Sequence, residues 1–82
     1  MTYSLVLKPR AEKDLRGLPP AVQQRLAERV RFLREDLQGD VKRLTHFTPS
    51  YRLRVGDYRV LFDVEGEAVV VYRILHRREA YR

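Results

Sequence analysis

The chain has no cysteine, no tryptophan and only two histidines, and glycine and proline contribute four residues each to its 82. Without cysteine there is no disulfide framework, no thiolate nucleophile and no cysteine zinc site. The histidines, His46 and His76, stand in no HxH, HExxH or paired metal spacing. Asp57, Asp63, Glu65 and Glu67 fall at turns or alternate with apolar positions, so no acidic cluster for divalent ions is legible and a metal-dependent nuclease is not expected. No apolar run approaches the length of a membrane span, and the basic start of the chain is not followed by an apolar stretch of signal-peptide type. The expectation is a cytoplasmic protein without metal, cofactor or membrane association.

What remains is a small, basic, folded chain. Residues 1–82 are enough for one domain and leave no room for a second core. The composition, 44% apolar and 34% charged, is that of a folded protein rather than a disordered one. The net charge of +6 is unevenly spread: residues 1–41 carry eight basic and six acidic side chains, residues 42–82 nine and five. The total by itself does not indicate a nucleic-acid ligand, since solubility alone favours a net charge; its clustering is more informative.

Residues 2–7 (TYSLVL) read as a first strand with Tyr3, Leu5 and Leu7 on one side. Pro9 suits a helix start, and Arg10 to Leu18 form a short helix with Ala11, Leu15 and Leu18 on its inner stripe. After Pro19-Pro20 a second helix runs to about Leu37, with Val22, Leu26, Val30, Leu33 and Leu37 at spacings of three and four. Gly39-Asp40 ends it, and a connection through Leu44, His46, Phe47 and Pro49 leads to three strands, 51–55, 58–64 and 67–75, with Glu65-Gly66 as the second turn. The predicted fold is α+β in the order β-α-α-β-β-β: a small antiparallel or mixed sheet of about four strands, with both helices packed on one face. The VVVY run at 69–72 suggests a covered central strand, and Arg73 then breaks the alternation unless a bulge intervenes.

The stretch YRLRVGDYRVLF at 51–62 is the most telling element. Gly56-Asp57 fits a two-residue turn that takes glycine first, which pairs Val55 with Tyr58 and Arg54 with Arg59. Cross-strand partners share a face, so Arg52, Arg54 and Arg59 gather on the open side while Leu53, Val55, Tyr58, Val60 and Phe62 line the core side. Such arginines can simply be a solvated sheet face whose long stems cover apolar neighbours. Against that stand the few acidic neighbours, with only Asp57 at the turn, and the further cations Lys42, Arg43, Arg77, Arg78 and Arg82 on either side. Arginine's planar donor fork suits phosphate oxygens, and several converging forks suit a backbone of repeated charge. Among the other candidates, His46 reads as a surface residue, His76 as either a site neighbour or an ordinary strand end, and Tyr81 as either a tail anchor or a ring that stacks on an unpaired base. No strong nucleophile is evident, but RNA brings its own 2′-hydroxyl.

With the KPRAEKDLRGLP segment at 8–19 and VVVYRILHRREAY at 69–81, the hairpin resembles the RelE/ParE superfamily of type II toxins over essentially the full chain. The resemblance to its RelE branch implies metal-independent cleavage of messenger RNA in the ribosomal A site by 2′-hydroxyl attack. It implies that Arg52 and Arg54 surround the scissile phosphate, that Arg59 holds phosphate, that Arg77 is the basic residue of the terminal motif and that Tyr81 stacks on a codon base. Lys42, Arg43 and Arg78 are additional RNA-binding candidates. Both Arg52 and Arg54 are arginine where such toxins often carry a lysine credited with proton abstraction, which leaves His76 as a possible assistant. The resemblance further implies a flexible cognate antitoxin, contact with the ribosome and its messenger RNA, and operator DNA reached only through the antitoxin. The alternatives are a ParE-like gyrase inhibitor, or a catalytically weak member that mainly binds its antitoxin.

Overall fold

The structure, a computed structural model, describes residues 2–80. Alternation of apolar residues at the start of the chain produces β1, Ser4–Leu7, whose Leu5 and Leu7 side chains pack against the core together with Tyr3 just before it. Pro9 fixes the first turn of α1, Pro9–Arg16, and Pro20 does the same for α2, Pro20–Phe32. Four strands follow: β2, Asp40–Arg43; β3, Tyr51–Val55; β4, Tyr58–Glu65; and β5, Ala68–His76. They form one mixed sheet in the order β1-β5-β4-β3-β2, antiparallel except for the parallel pairing of β1 with β5.

Both helices pack on one face of this sheet, as the sequence predicts. Ala11 from α1, Leu26 and Val30 from α2, and Leu33 just beyond it are buried against Leu53, Val60, Phe62, Val69, Val71 and Ile74. Each large side chain so buried contributes about 1.5–3 kcal/mol relative to exposure, which makes this layer the main source of cohesion. The opposite face carries no helix and is the one available to a ligand.

Three local features differ from the sequence expectation, and another decides a point that it left open. Helix α2 stops at Phe32 instead of Leu37, and the chain tightens through bonds to the third residue back: Leu33 N–H to Val30, Arg34 N–H to Arg31 and Glu35 N–H to Phe32 carbonyls, at 3.0–3.2 Å. Asp36 and Leu37 then take left-handed φ values of 56°. Leu33 and Leu37 still pack on the core from this turn, so the apolar spacing outlives the helix. Secondly, the segment predicted to be a connection contains β2, which makes five strands where about four were expected. Its only apolar residue is Val41, so an edge strand four residues long leaves almost no alternating pattern.

Thirdly, the β4–β5 register slips by one between Leu61, opposite Arg73, and Phe62, opposite Val71. Tyr72 is the extra residue of this bulge, and Val71 and Ile74 thereby both reach the core. Arg73 instead meets Asp14 of α1, whose Oδ2 accepts from its Nε at 2.8 Å and from the Ile74 N–H at 3.0 Å. Finally, the second tight turn is Gly66-Glu67 rather than Glu65-Gly66: Glu65 pairs with Ala68, and Gly66 supplies the positive φ of 62°. No helix among the described residues is long and apolar enough to cross a membrane.

Candidate functional site

The β3–β4 hairpin turns through Gly56, at φ 57°, and Asp57, and the ladder pairs Val55 with Tyr58, Arg54 with Arg59 and Leu53 with Val60. Glycine in the first turn position is what sets this register. Strand β2 then extends the same face: Lys42 lies opposite Arg52, and Asp40 opposite Arg54. Lys42, Arg52, Arg54 and Arg59 therefore converge on the helix-free side, where with Leu44 they line a shallow groove of about 270 Å³.

The three arginines are held differently. Arg52 is the most enclosed, with its side chain 13% exposed; its Nη1 donates to the Asp40 carbonyl at 3.2 Å and lies 3.5 Å from Asp40 Oδ1. Arg54 is more than half exposed, with its Nε 4.0 Å from Asp40 Oδ2. Arg59 Nη1 donates to the carbonyls of Gly56 at 2.9 Å and Tyr58 at 3.0 Å, so the hairpin's own backbone orients the guanidinium. Asp40 was not singled out by sequence reasoning, because Gly39-Asp40 reads as a helix terminator; only recognition of β2 assigns it to the arginine face.

The remaining candidates separate. Arg77 lies at the hairpin tip, where its N–H donates to the Asp57 carbonyl at 2.7 Å and its Nε is 3.9 Å from Asp57 Oδ1; it does not line the groove. Arg43 pairs with Tyr51 and its guanidinium lies 6.0 Å from that ring, on the helix side of the sheet and away from Lys42. His76 is opposite Tyr58 and meets its ring edge-on at 5.6 Å, also on the helix side. Its Nδ1 accepts from the Arg78 N–H at 3.3 Å, and both residues border a separate depression of about 610 Å³ with Asp14, Leu18, Tyr58 and Arg73. The larger depression is thus not the one where the cations gather, and His76 is not among the residues that line the arginine groove. Tyr81 lies outside the described residues.

Two groups near these surfaces have displaced proton affinities. The Arg73 guanidinium is held above its ordinary pKa, chiefly by its hydrogen bond to Asp14. The Tyr72 hydroxyl is also raised, chiefly because it donates to Glu65, and the Lys8 ammonium stands 5.6 Å from the Tyr72 ring. Among the described residues no group of three or more His, Asp or Glu side chains gathers in a way that could hold a metal ion. Chemically, the groove offers charge-assisted hydrogen bonds to an anion, with Lys42 as its amine and three planar guanidinium groups beside it.

Residues 5–81 match the family described as the ParE toxin of the type II toxin-antitoxin system, parDE. The chain is similar to Toxin RelE3 of Methanocaldococcus jannaschii, with 31% identity over an alignment of 74 positions that covers 84% of each chain. Among solved structures it resembles the archaeal RelE-RelB complex from Pyrococcus horikoshii, with 28% identity, a TM-score of 0.78, and 98% of this chain and 100% of that one covered. It also resembles the RelB-RelE antitoxin-toxin complex from Methanococcus jannaschii, with 26% identity, a TM-score of 0.76, and coverage of 93% and 94%.

Proposed function

The chain belongs to the RelE/ParE superfamily of type II toxin-antitoxin toxins, and from that premise we propose that it is a ribosome-dependent endoribonuclease acting on messenger RNA. The observation that carries this reading is the convergence of Lys42, Arg52, Arg54 and Arg59 on the helix-free face. In the reaction the 2′-hydroxyl gives its proton to water as its oxygen attacks the adjacent phosphorus, the bond from phosphorus to the 5′-oxygen breaks, and that oxygen takes a proton from water, so that the products carry a 2′,3′-cyclic phosphate and a 5′-hydroxyl. Negative charge grows on the nonbridging oxygens, where Arg52, Arg54 and Arg59 act as preorganised donors. Arg77, at the hairpin tip, extends the contact along the strand, and Tyr81 is assigned the stacking role. An arginine stays protonated and accepts a proton poorly, so orientation of the 2′-hydroxyl and electrostatic stabilisation carry most of the effect.

The relatives crystallised as RelE-RelB complexes support a cognate antitoxin as the partner; acidic segments in that antitoxin would complement the arginine face. On this reading the toxin works in the cytoplasm on translating ribosomes, and reaches operator DNA only through the antitoxin. A second reading, inhibition of DNA gyrase, is favoured by the description of the matching family as ParE and by the position of His76 away from the groove. Primer extension on a messenger RNA, with and without ribosomes, separates the two. Cuts at A-site codons that require ribosomes support the nuclease. Intact RNA accompanied by double-strand breaks in gyrase-treated DNA replaces it with the gyrase reading.

A further inference from the structure

Asp40 opens β2 and lies opposite Arg54, with its side chain 59% exposed. Its two carboxylate oxygens address two different guanidinium groups: Oδ1 is 3.5 Å from Arg52 Nη1, and Oδ2 is 4.0 Å from Arg54 Nε. The two nonbridging oxygens of a phosphodiester would span the same pair in the same manner. Packing does not require this carboxylate, because the residue is largely in solvent. Arg52 also has an anchor that survives any change of the side chain, the Asp40 backbone carbonyl at 3.2 Å.

We propose that Asp40 is an internal anion that bridges Arg52 and Arg54 in the free protein, and that ligands enter the groove by displacing it. Asp40 thereby sets a threshold that every entering anion must overcome, which single-stranded RNA meets with several phosphates and a lone anion only at high concentration. A carboxylate tethered to the groove is present at an effective concentration far above that of a dilute free ligand. A lone phosphate must replace this tethered carboxylate from dilute solution, so it competes poorly. A strand of RNA places neighbouring phosphates against Arg59 and Lys42, which line the same groove, and those added contacts offset the displacement. The inference takes its ligand class from the proposed ribonuclease but needs no cleavage to be tested.

The experiment measures binding of inorganic phosphate and of a short single-stranded oligoribonucleotide to the full chain and to Asp40→Asn, at one fixed low salt concentration. Asparagine keeps the size of the side chain and removes its charge. Phosphate affinity should rise about three- to tenfold, the worth of one or two exposed ion pairs. Oligoribonucleotide affinity should rise by a similar factor, because the same carboxylate is displaced, and the thermal midpoint should fall by about 3–10 °C, because the same ion pairs are lost from the folded protein. Phosphate binding that is unchanged or weaker in Asp40→Asn overturns the proposal, because the carboxylate would then position the arginines rather than compete for them. A gain that persists when Arg52 and Arg54 are both alanine also overturns it, since that is a general effect of net charge. If an acidic peptide, and not RNA, shows the larger preference over phosphate in the unaltered protein, the RNA assignment falls. Should the protein cut no messenger RNA and yet show the expected pattern, the competition by Asp40 stands and only the nuclease reading is lost.

Discussion

Replacing Asp14 with alanine removes a polar tie between α1 and the β5 bulge in which three bonds meet one carboxylate. Its oxygens accept from Arg73 Nε at 2.8 Å, Arg73 Nη2 at 3.3 Å and the Ile74 N–H at 3.0 Å. The Asp14 side chain is 14% exposed and that of Arg73 33%, so the pair lies between two limits. A fully exposed pair is worth about 0–1 kcal/mol, and breaking a buried one costs about 3–5 kcal/mol. The partial burial of both partners, together with the backbone N–H left without its acceptor, gives an expected loss of about 2–3 kcal/mol. For a domain of this size that corresponds to a fall in melting temperature of about 10–20 °C. Thermal and urea unfolding followed by circular dichroism measure it, and a cycle with Arg73→Ala should return a coupling of about 1–2 kcal/mol. Because Asp14 holds the Arg73 pKa above its ordinary value, the arginine's share of stability is complete below that ordinary value and is lost only in more alkaline solution, as pH rises through the folded pKa. The deficit should therefore show no dependence on arginine ionisation near neutral pH. A melting temperature within about 2 °C of the parent, or a coupling near zero, would refute the assignment of this fork as the lock on the bulge.

Two further substitutions probe other parts of the sheet. Gly39 has φ 126°, and a Cβ there would stand 2.7 Å from Leu53 Cδ1 in the core, so Gly39→Ala should destabilise the fold by about 2–4 kcal/mol in urea titrations. A loss under about 0.5 kcal/mol would show that β2 and Leu53 adjust freely. Tyr72 holds its proton more tightly because its hydroxyl donates to Glu65, so that bond is complete at neutral pH and fades as pH rises through a folded pKa above 10.0. Glu65→Gln should return the Tyr72 midpoint toward 10.0 in an ultraviolet titration of tyrosine ionisation, and an unmoved midpoint would remove Glu65 as the cause.

The parts of the fold that sequence reasoning reached are those governed by local rules. A glycine-first turn at Gly56 fixes the hairpin register, and with it the shared face of Arg54 and Arg59, without any tertiary information. Apolar spacing located both helices and the side they bury. The parts it missed depend on contacts distant in sequence. Asp40–Arg43 becomes a strand only because β3 is there to pair with it, and that pairing carries Asp40 and Lys42 onto the arginine face while turning Arg43 away. The bulge at Tyr72 is tied to Asp14, nearly sixty residues earlier in the chain, which is why the parity of Arg73 was not legible. His76 stood next to two arginines in sequence, but strand alternation sends it to the Tyr58 side.

Messenger RNA cleavage by Arg59→Ala and Arg43→Ala, compared side by side in a translated-messenger primer-extension assay, tests most directly whether the helix-free groove carries the activity. Arg59 lines that groove and Arg43 lies on the other face of the sheet, although both are arginines close to the same hairpin. Loss of one preorganised donor to the developing charge should slow ribosome-dependent cleavage by about a hundredfold or more in Arg59→Ala, while Arg43→Ala stays close to the parent. Equal losses in the two variants, or full activity in Arg59→Ala, would contradict a catalytic role for the groove.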